Sequence, residues 1–164
     1  MYRPPMVEQG YWAGKRILLV SHEAWGPVRL SKHHYASTLI DQGAQVFFLG
    51  PDELGRRDIA VELQQAGAPT IVHRAPPMRG IRHLPVELRE RMEERQMRAL
   101  ATTCGGAFDV LWNFDLFRFR SLKDRSHARL YMLHVMDLKH PDELSGPAKC
   151  ADAVIVVSPA WPMA

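Results

Sequence analysis

The sequence predicts an α/β domain built on a mostly parallel sheet of about six strands, on three observations. Short apolar runs alternate with segments of helical periodicity, and parallel neighbours in a sheet need such crossover connections. The runs are apolar throughout, as in strands covered on both faces by helices. Each run also ends in small or polar residues, where open parallel sheets bind ligands. At 164 residues, 46% of them hydrophobic, the chain has the size and composition of one globular domain.

Residues 1–14 show no usable periodicity and read as a flexible N-terminal tail or a lid, leaving 15–164 as the single domain. Ile17 to Val20 is too short for a buried helix and suits a strand. Ser31 is placed as an N-cap, Tyr35, Ala36, Leu39 and Ile40 follow at helical spacing, and Gly43 is placed as the C-cap. Val46 to Leu49 is the next strand, stopping at Gly50-Pro51. Ile59 to Ala66 reads as a short helix ending at Gly67, and Thr70 to His73 as a strand. A long helix runs from Pro85 to about Thr103, before Gly105-Gly106. Val110 to Trp112, Leu130 to Val135 and Ala153 to Val157 are the remaining strands, with a partly helical Pro141 to Cys150 between the last two.

Several function classes are excluded by what the strand ends lack. Gly-x-Gly-x-x-Gly does not follow the first strand, where Gly26 stands alone, and no triphosphate-binding Gly-x-x-x-x-Gly-Lys-Ser/Thr or Gly-x-Ser-x-Gly nucleophile turn occurs. Cys104 and Cys150 form no zinc-ligand spacing and read as buried thiols. No run approaches the ~20 apolar residues of a bilayer span, and the first 15 residues lack the apolar centre of a secretory signal. The expected location is therefore the cytoplasm. Net charge is +3, with 16 arginines among 21 basic residues. Seven of them lie between Arg74 and Arg98, and Arg118, Arg120, Lys123, Arg125 and Arg129 form a second group offset locally by Asp124 alone. Neither group by itself argues for nucleic acid.

The strand ends carry the candidate chemistry: Ser21-His22-Glu23-Ala24-Trp25-Gly26-Pro27, Asn113-Phe114-Asp115 and His134-Val135-Met136-Asp137. His22 and His134 face each other if their strands lie close. A set of His and carboxylate there serves sugar hydroxyls as readily as a metal, and no His-x-x-x-His or Glu-x-x-His supports the metal. Asp115 and Asp137 suit helix capping as well as ligand binding. Trp25 suits the core, or a sugar platform beside Gly26-Pro27. His33 and His34 are adjacent on a helix and diverge, which favours a capping or solvated pair.

These residues resemble the N-terminal half of a two-domain GT-B glycosyltransferase of the retaining group 1 family. Lys15 to Ser21 with Trp25-Gly26-Pro27 looks like the opening strand and loop, and Ser31 to Leu39 with Gly43 is similar to the first helix. Phe108 to Trp112, Tyr131 to Asp137, and Ala151 to Ser158 look like three later strands. The resemblance implies a three-layer Rossmann-like domain, helices on both faces, that serves the sugar acceptor. It implies His134 as the catalytic residue orienting the donor sugar, with His22, Trp25, Gly26, Asn113, Asp115 and Asp137 binding substrate. It implies a nucleotide-sugar donor as co-substrate and no metal. The family continues beyond the counterpart of Ser158 into a donor-binding domain with a Glu-x7-Glu element, so that half is expected in cis or from a partner chain, and the chain alone is expected to be inactive. Contact with an anionic membrane through Arg79, Ile81, Arg82 and Leu84 is a further expectation. The alternative is a noncatalytic α/β module that binds carbohydrate or protein.

Overall fold

A computed structural model describes residues 10–76, 83–136 and 142–157. Strands β1 (Arg16–Val20), β2 (Gln45–Leu49), β3 (Ile59–Glu62), β4 (Thr70–Arg74), β5 (Phe108–Asn113), β6 (Ala128–Val135) and β7 (Ala153–Val156) form one sheet, connected through helices α1 (Ser31–Asp41), α2 (Val86–Thr103) and α3 (Asp142–Cys150). The seven strands are ordered β3-β4-β2-β1-β5-β6-β7. Every neighbouring pair is parallel except β3 with β4. The predicted α/β class with a mostly parallel sheet is therefore present, with seven strands in place of about six.

The additional strand corrects one expectation. Ile59 to Ala66 does not form a helix: Ile59–Glu62 is the edge strand β3, antiparallel to β4. A helix there would set Ile59 and Leu63 on one turn, too little apolar surface to hold it against the sheet. An extended chain instead satisfies the free edge of β4 through a backbone ladder, and Ile59 and Val61 are β-branched. Ser31 is likewise not the cap of α1. Leu30 takes that position, and His33 accepts the Leu30 backbone N–H on Nδ1 at 3.0 Å.

Side chains alternate along each strand, and β1 shows the result. Leu18 and Val20 enter a cluster with Met97, Leu100 and Ala101 of α2. Ile17 and Leu19 enter another with Ala36 and Leu39 of α1, against which Trp12 and Trp25 also pack. Residues 10–14 turn back beside the end of α1, where the Gly14 N–H donates to the Gly43 carbonyl at 2.9 Å. Gly43 has φ +87°, and a Cβ there would stand 3.3 Å from Ala13 Cα, so both the helix exit and this approach require glycine. Arg16 fastens the far end of α2 by donating to the carbonyls of Cys104 at 2.6 Å and Ala107 at 3.0 Å. Both cysteines are free and buried, and burial pushes the Cys104 thiol up to about 11. Among the described residues no helix is long and apolar enough to cross a membrane. Asp137, Ser158, Arg79, Ile81 and Arg82 lie outside the described residues.

Candidate functional site at the strand-order reversal

The chain leaves β1 through α1 to reach β2 on one side, and returns through α2 to place β5 on the other. The loops after β1 and β5 therefore diverge at the carboxyl edge, which is where open α/β sheets form a ligand crevice. Here those loops supply Ser21, His22 and Glu23 from β1, and Asn113, Phe114 and Asp115 from β5. Lys32, in the first turn of α1, joins them.

Lys32 is 3% exposed and forms an ion pair with Glu23. Burial lowers its pKa and the nearby Asp115 carboxylate raises it in part. Glu23 also meets His22 Nε2 at 3.0 Å and accepts from the Ser21 hydroxyl at 3.3 Å. The Ser21 hydroxyl and the Glu23 backbone close the turn between them, with the Glu23 N–H donating at 3.0 Å. His22 is more than half exposed and lies close enough to the Phe114 backbone to feel it electrostatically, so it stands between the two loops. Its pKa is lowered chiefly by burial and then by the Lys32 charge.

Asn113 and Asp115 are spent on the loop itself. The Asn113 amide donates to the Arg118 carbonyl at 2.9 Å and to the Tyr131 hydroxyl at 3.0 Å, and its oxygen accepts the Asp115 N–H at 2.9 Å. Asp115 accepts the Phe117 N–H at 2.8 Å and pairs with Arg118 Nε at 3.2 Å. Arg118 reaches across to the Gly50 carbonyl at 2.7 Å, tying the ends of β2 and β5 together. Asp52 at the same edge accepts from Arg74 Nε at 3.0 Å.

His134 and His22 do not face each other, because β5 separates β1 from β6. His134 lies within β6, 3% exposed, stacked on Phe114 at 4.6 Å and 26°, with Trp112 and Tyr35 alongside. Both of its ring nitrogens are buried without a hydrogen-bond partner, as is Trp112 Nε1, and burial lowers its pKa. Trp25 packs edge-on against Phe48 at 5.1 Å, and Arg29 covers its ring at 4.1 Å. A Cβ on Gly26 would meet nothing within 4 Å, so neither space nor a positive φ demands glycine there. Of the pair read as capping or solvated, His33 caps: buried, it bonds Leu30 N–H through Nδ1 and the Ala24 carbonyl through Nε2 at 3.0 Å, which selects the Nε2–H tautomer. Among the described residues no three His, Cys, Asp or Glu side chains converge as a metal site.

Lys32 escaped the sequence reading, Glu23 stands in it only as part of the first strand-end segment, and Arg118 only as a member of the second basic group. The available signal was Lys32 in the first turn of a helix following the first strand, a position where a cation opposes the helix dipole and needs a reason.

The two lowered histidines set a pH dependence. Unfolded histidine binds its proton near pH ~6.5, whereas folded His134 and His22 take theirs at lower pH. Full stability is thus present above that value and is lost as the pH falls below it, until the folded values are passed. Urea unfolding at pH 7.5 and 5.5 should show a lower midpoint in acid, and His134→Phe should shrink the difference. An undiminished difference in that variant would place the proton uptake elsewhere.

The site defines a class: a parallel α/β domain with a polar, charge-paired cluster at its strand-order reversal. Comparison with protein-family models, with curated proteins and with solved structures finds no match for the chain.

Proposed function

We propose that the chain is a three-layer, Rossmann-like acceptor-side domain of a glycosyltransferase that moves a sugar from a nucleotide-sugar donor to a glycan or lipid-linked acceptor. The observation that supports this most is the convergence of His22, Glu23, Lys32 and Asp115 at the crevice between β1 and β5. Exposed imidazole and carboxylate groups there suit sugar hydroxyls, which both donate and accept hydrogen bonds. This reading keeps an orienting role for His134, whose ring nitrogens are unpaired but buried among Phe114, Trp112 and Tyr35, so that stack has to open for a sugar hydroxyl to reach them. Donor binding falls to a second GT-B half in cis or to a partner chain, and the reaction needs no metal. The proposal includes a cytoplasmic location with peripheral contact to an anionic inner-membrane face.

A noncatalytic carbohydrate- or protein-binding module is the second reading. It is favoured by Asn113 and Asp115, whose hydrogen-bonding capacity is taken up within the loop.

Titration with oligosaccharides, followed by amide shifts, is expected to perturb His22, Glu23 and Asp115. In an enzyme completed by a donor-binding half, His134→Ala should slow transfer by about 10²-fold, the cost of a misplaced reacting group, with a smaller effect on melting. Loss of stability with unchanged activity per folded molecule would make His134 structural. Oligosaccharide binding with no transfer by any completed form would favour the module, and no binding at all would remove both carbohydrate readings.

A further inference from the structure

We infer that Lys32 anchors an oxyanion carried by the acceptor, a carboxylate or a phosphate, and that Glu23 occupies this anchor until the oxyanion displaces it. The word acceptor rests on the function proposed above, whereas the anchor rests on the geometry alone. Lys32 is held on α1 and is 3% exposed. A buried ammonium is costly unless a counter-charge stays beside it. Its ion-pair partner among the described residues is Glu23. Glu23 belongs to the segment between β1 and α1 and keeps a side-chain exposure of 36%. The two partners therefore differ in freedom: the cation is fixed, and the carboxylate stands at the solvent boundary.

The surroundings favour an anion at this point. The first turn of α1 contains no acidic residue and instead carries Lys32, His33 and His34, with Arg29 just before it. No carboxylate of the helix itself opposes its positive end, and Glu23 reaches this turn only through Lys32. A second carboxylate, Asp115, acts on Lys32 from across the crevice. When Glu23 turns outward, an incoming carboxylate or phosphate takes its place and restores the counter-charge beside Lys32. His22, which bonds Glu23 at 3.0 Å, is released in the same movement toward the ligand's hydroxyls.

A tethered competitor has a signature that a structural ion pair lacks: its removal tightens ligand binding. The test is calorimetric titration of the chain with glucuronate, glucose 6-phosphate, inorganic phosphate and glucose, using the wild type, Glu23→Gln, Lys32→Met and the double variant. Glu23→Gln is expected to bind the anions about tenfold more tightly, the gain for a displaced state that is about one-tenth populated in the wild type. Lys32→Met and the double variant should bind no anion better than glucose. The double variant removes both charges together and so keeps a folded control. Preference for glucuronate or for glucose 6-phosphate identifies the source of the oxyanion. Unchanged or weaker anion binding by Glu23→Gln, or anion binding retained in the double variant, overturns the anchor. Inorganic phosphate binding that follows the predicted order, without any sugar binding, upholds the anchor and overturns the acceptor reading. Glucose binding equal to that of the anions in every variant does the reverse.

Discussion

Asn113→Ala is expected to destabilise the domain by roughly 2–4 kcal/mol, the cost of leaving about two buried polar groups unsatisfied. Asn113 is fully buried, and its amide meets three groups: the Arg118 carbonyl and the Asp115 N–H of the loop that follows it, and the Tyr131 hydroxyl of β6. Tyr131 donates its hydroxyl proton to the Phe119 carbonyl at 3.0 Å and so accepts from Asn113. Removing the amide leaves the part-buried Arg118 carbonyl and the buried Asp115 N–H without their partner. Urea unfolding measures the effect, and Asn113→Asp, which turns a carboxylate oxygen toward the Arg118 carbonyl at a fully buried site, should be at least as destabilising as alanine at neutral pH. A loss under about 0.5 kcal/mol, the scale of a surface substitution, would mean that the loop closes without Asn113 and would return this residue to substrate binding.

A similar loss, roughly 2–4 kcal/mol, is expected for Glu93→Ala for the same reason. Glu93 lies on α2, 7% exposed, and its two carboxylate oxygens accept the backbone N–H groups of Arg120 at 3.0 Å and Ser121 at 2.6 Å. The segment after β5 has no regular ladder of its own, so this carboxylate takes the place of one and pins the segment to the helix. Burial raises the Glu93 pKa while both N–H groups pull it back. Glu93→Gln keeps one acceptor and turns a donor toward the second N–H, so it should recover part of the loss. Hydrogen exchange at the Arg120 and Ser121 amides gives the local readout: fast exchange in Glu93→Ala is expected, and unchanged protection would show that other contacts hold the segment.

Both residues show why site assignment from sequence went only part of the way. Asn113 and Asp115 stand after a strand at the carboxyl edge, the position of a ligand-binding group, and their residue types suit either role. What separates the roles is whether the hydrogen-bonding capacity is already consumed, and Phe117 and Arg118 of the same loop consume it together with Tyr131 of β6. His134 illustrates the reverse. It reads as a strand-end residue reaching into the cleft, yet it sits within β6 in an aromatic stack with Phe114, Trp112 and Tyr35.

The basic segment from Arg118 to Arg129 is the clearest case. Counted along the chain it has Asp124 as its local counter-charge. In the fold Arg118 pairs with Asp115, Lys123 with Glu90, Arg125 with Asp152 and Arg129 with Asp109. A net charge read over a window of sequence misses carboxylates delivered by other elements.

Local chemistry by itself determined where six strands fall along the chain and the positions of α1 and α2, because an apolar run of strand length and a helical repeat each state their preferred geometry within a few residues. The number and spacing of Cys104 and Cys150 likewise pointed to buried thiols. The tertiary structure alone decided three things: that Ile59–Glu62 completes the free edge of β4, that Glu23 and Lys32 meet, and that β5 stands between His22 and His134. Each depends on which segments become neighbours across the sheet. Edge pairing and charge pairing draw their energy from those neighbours, and a residue's own sequence context does not contain them.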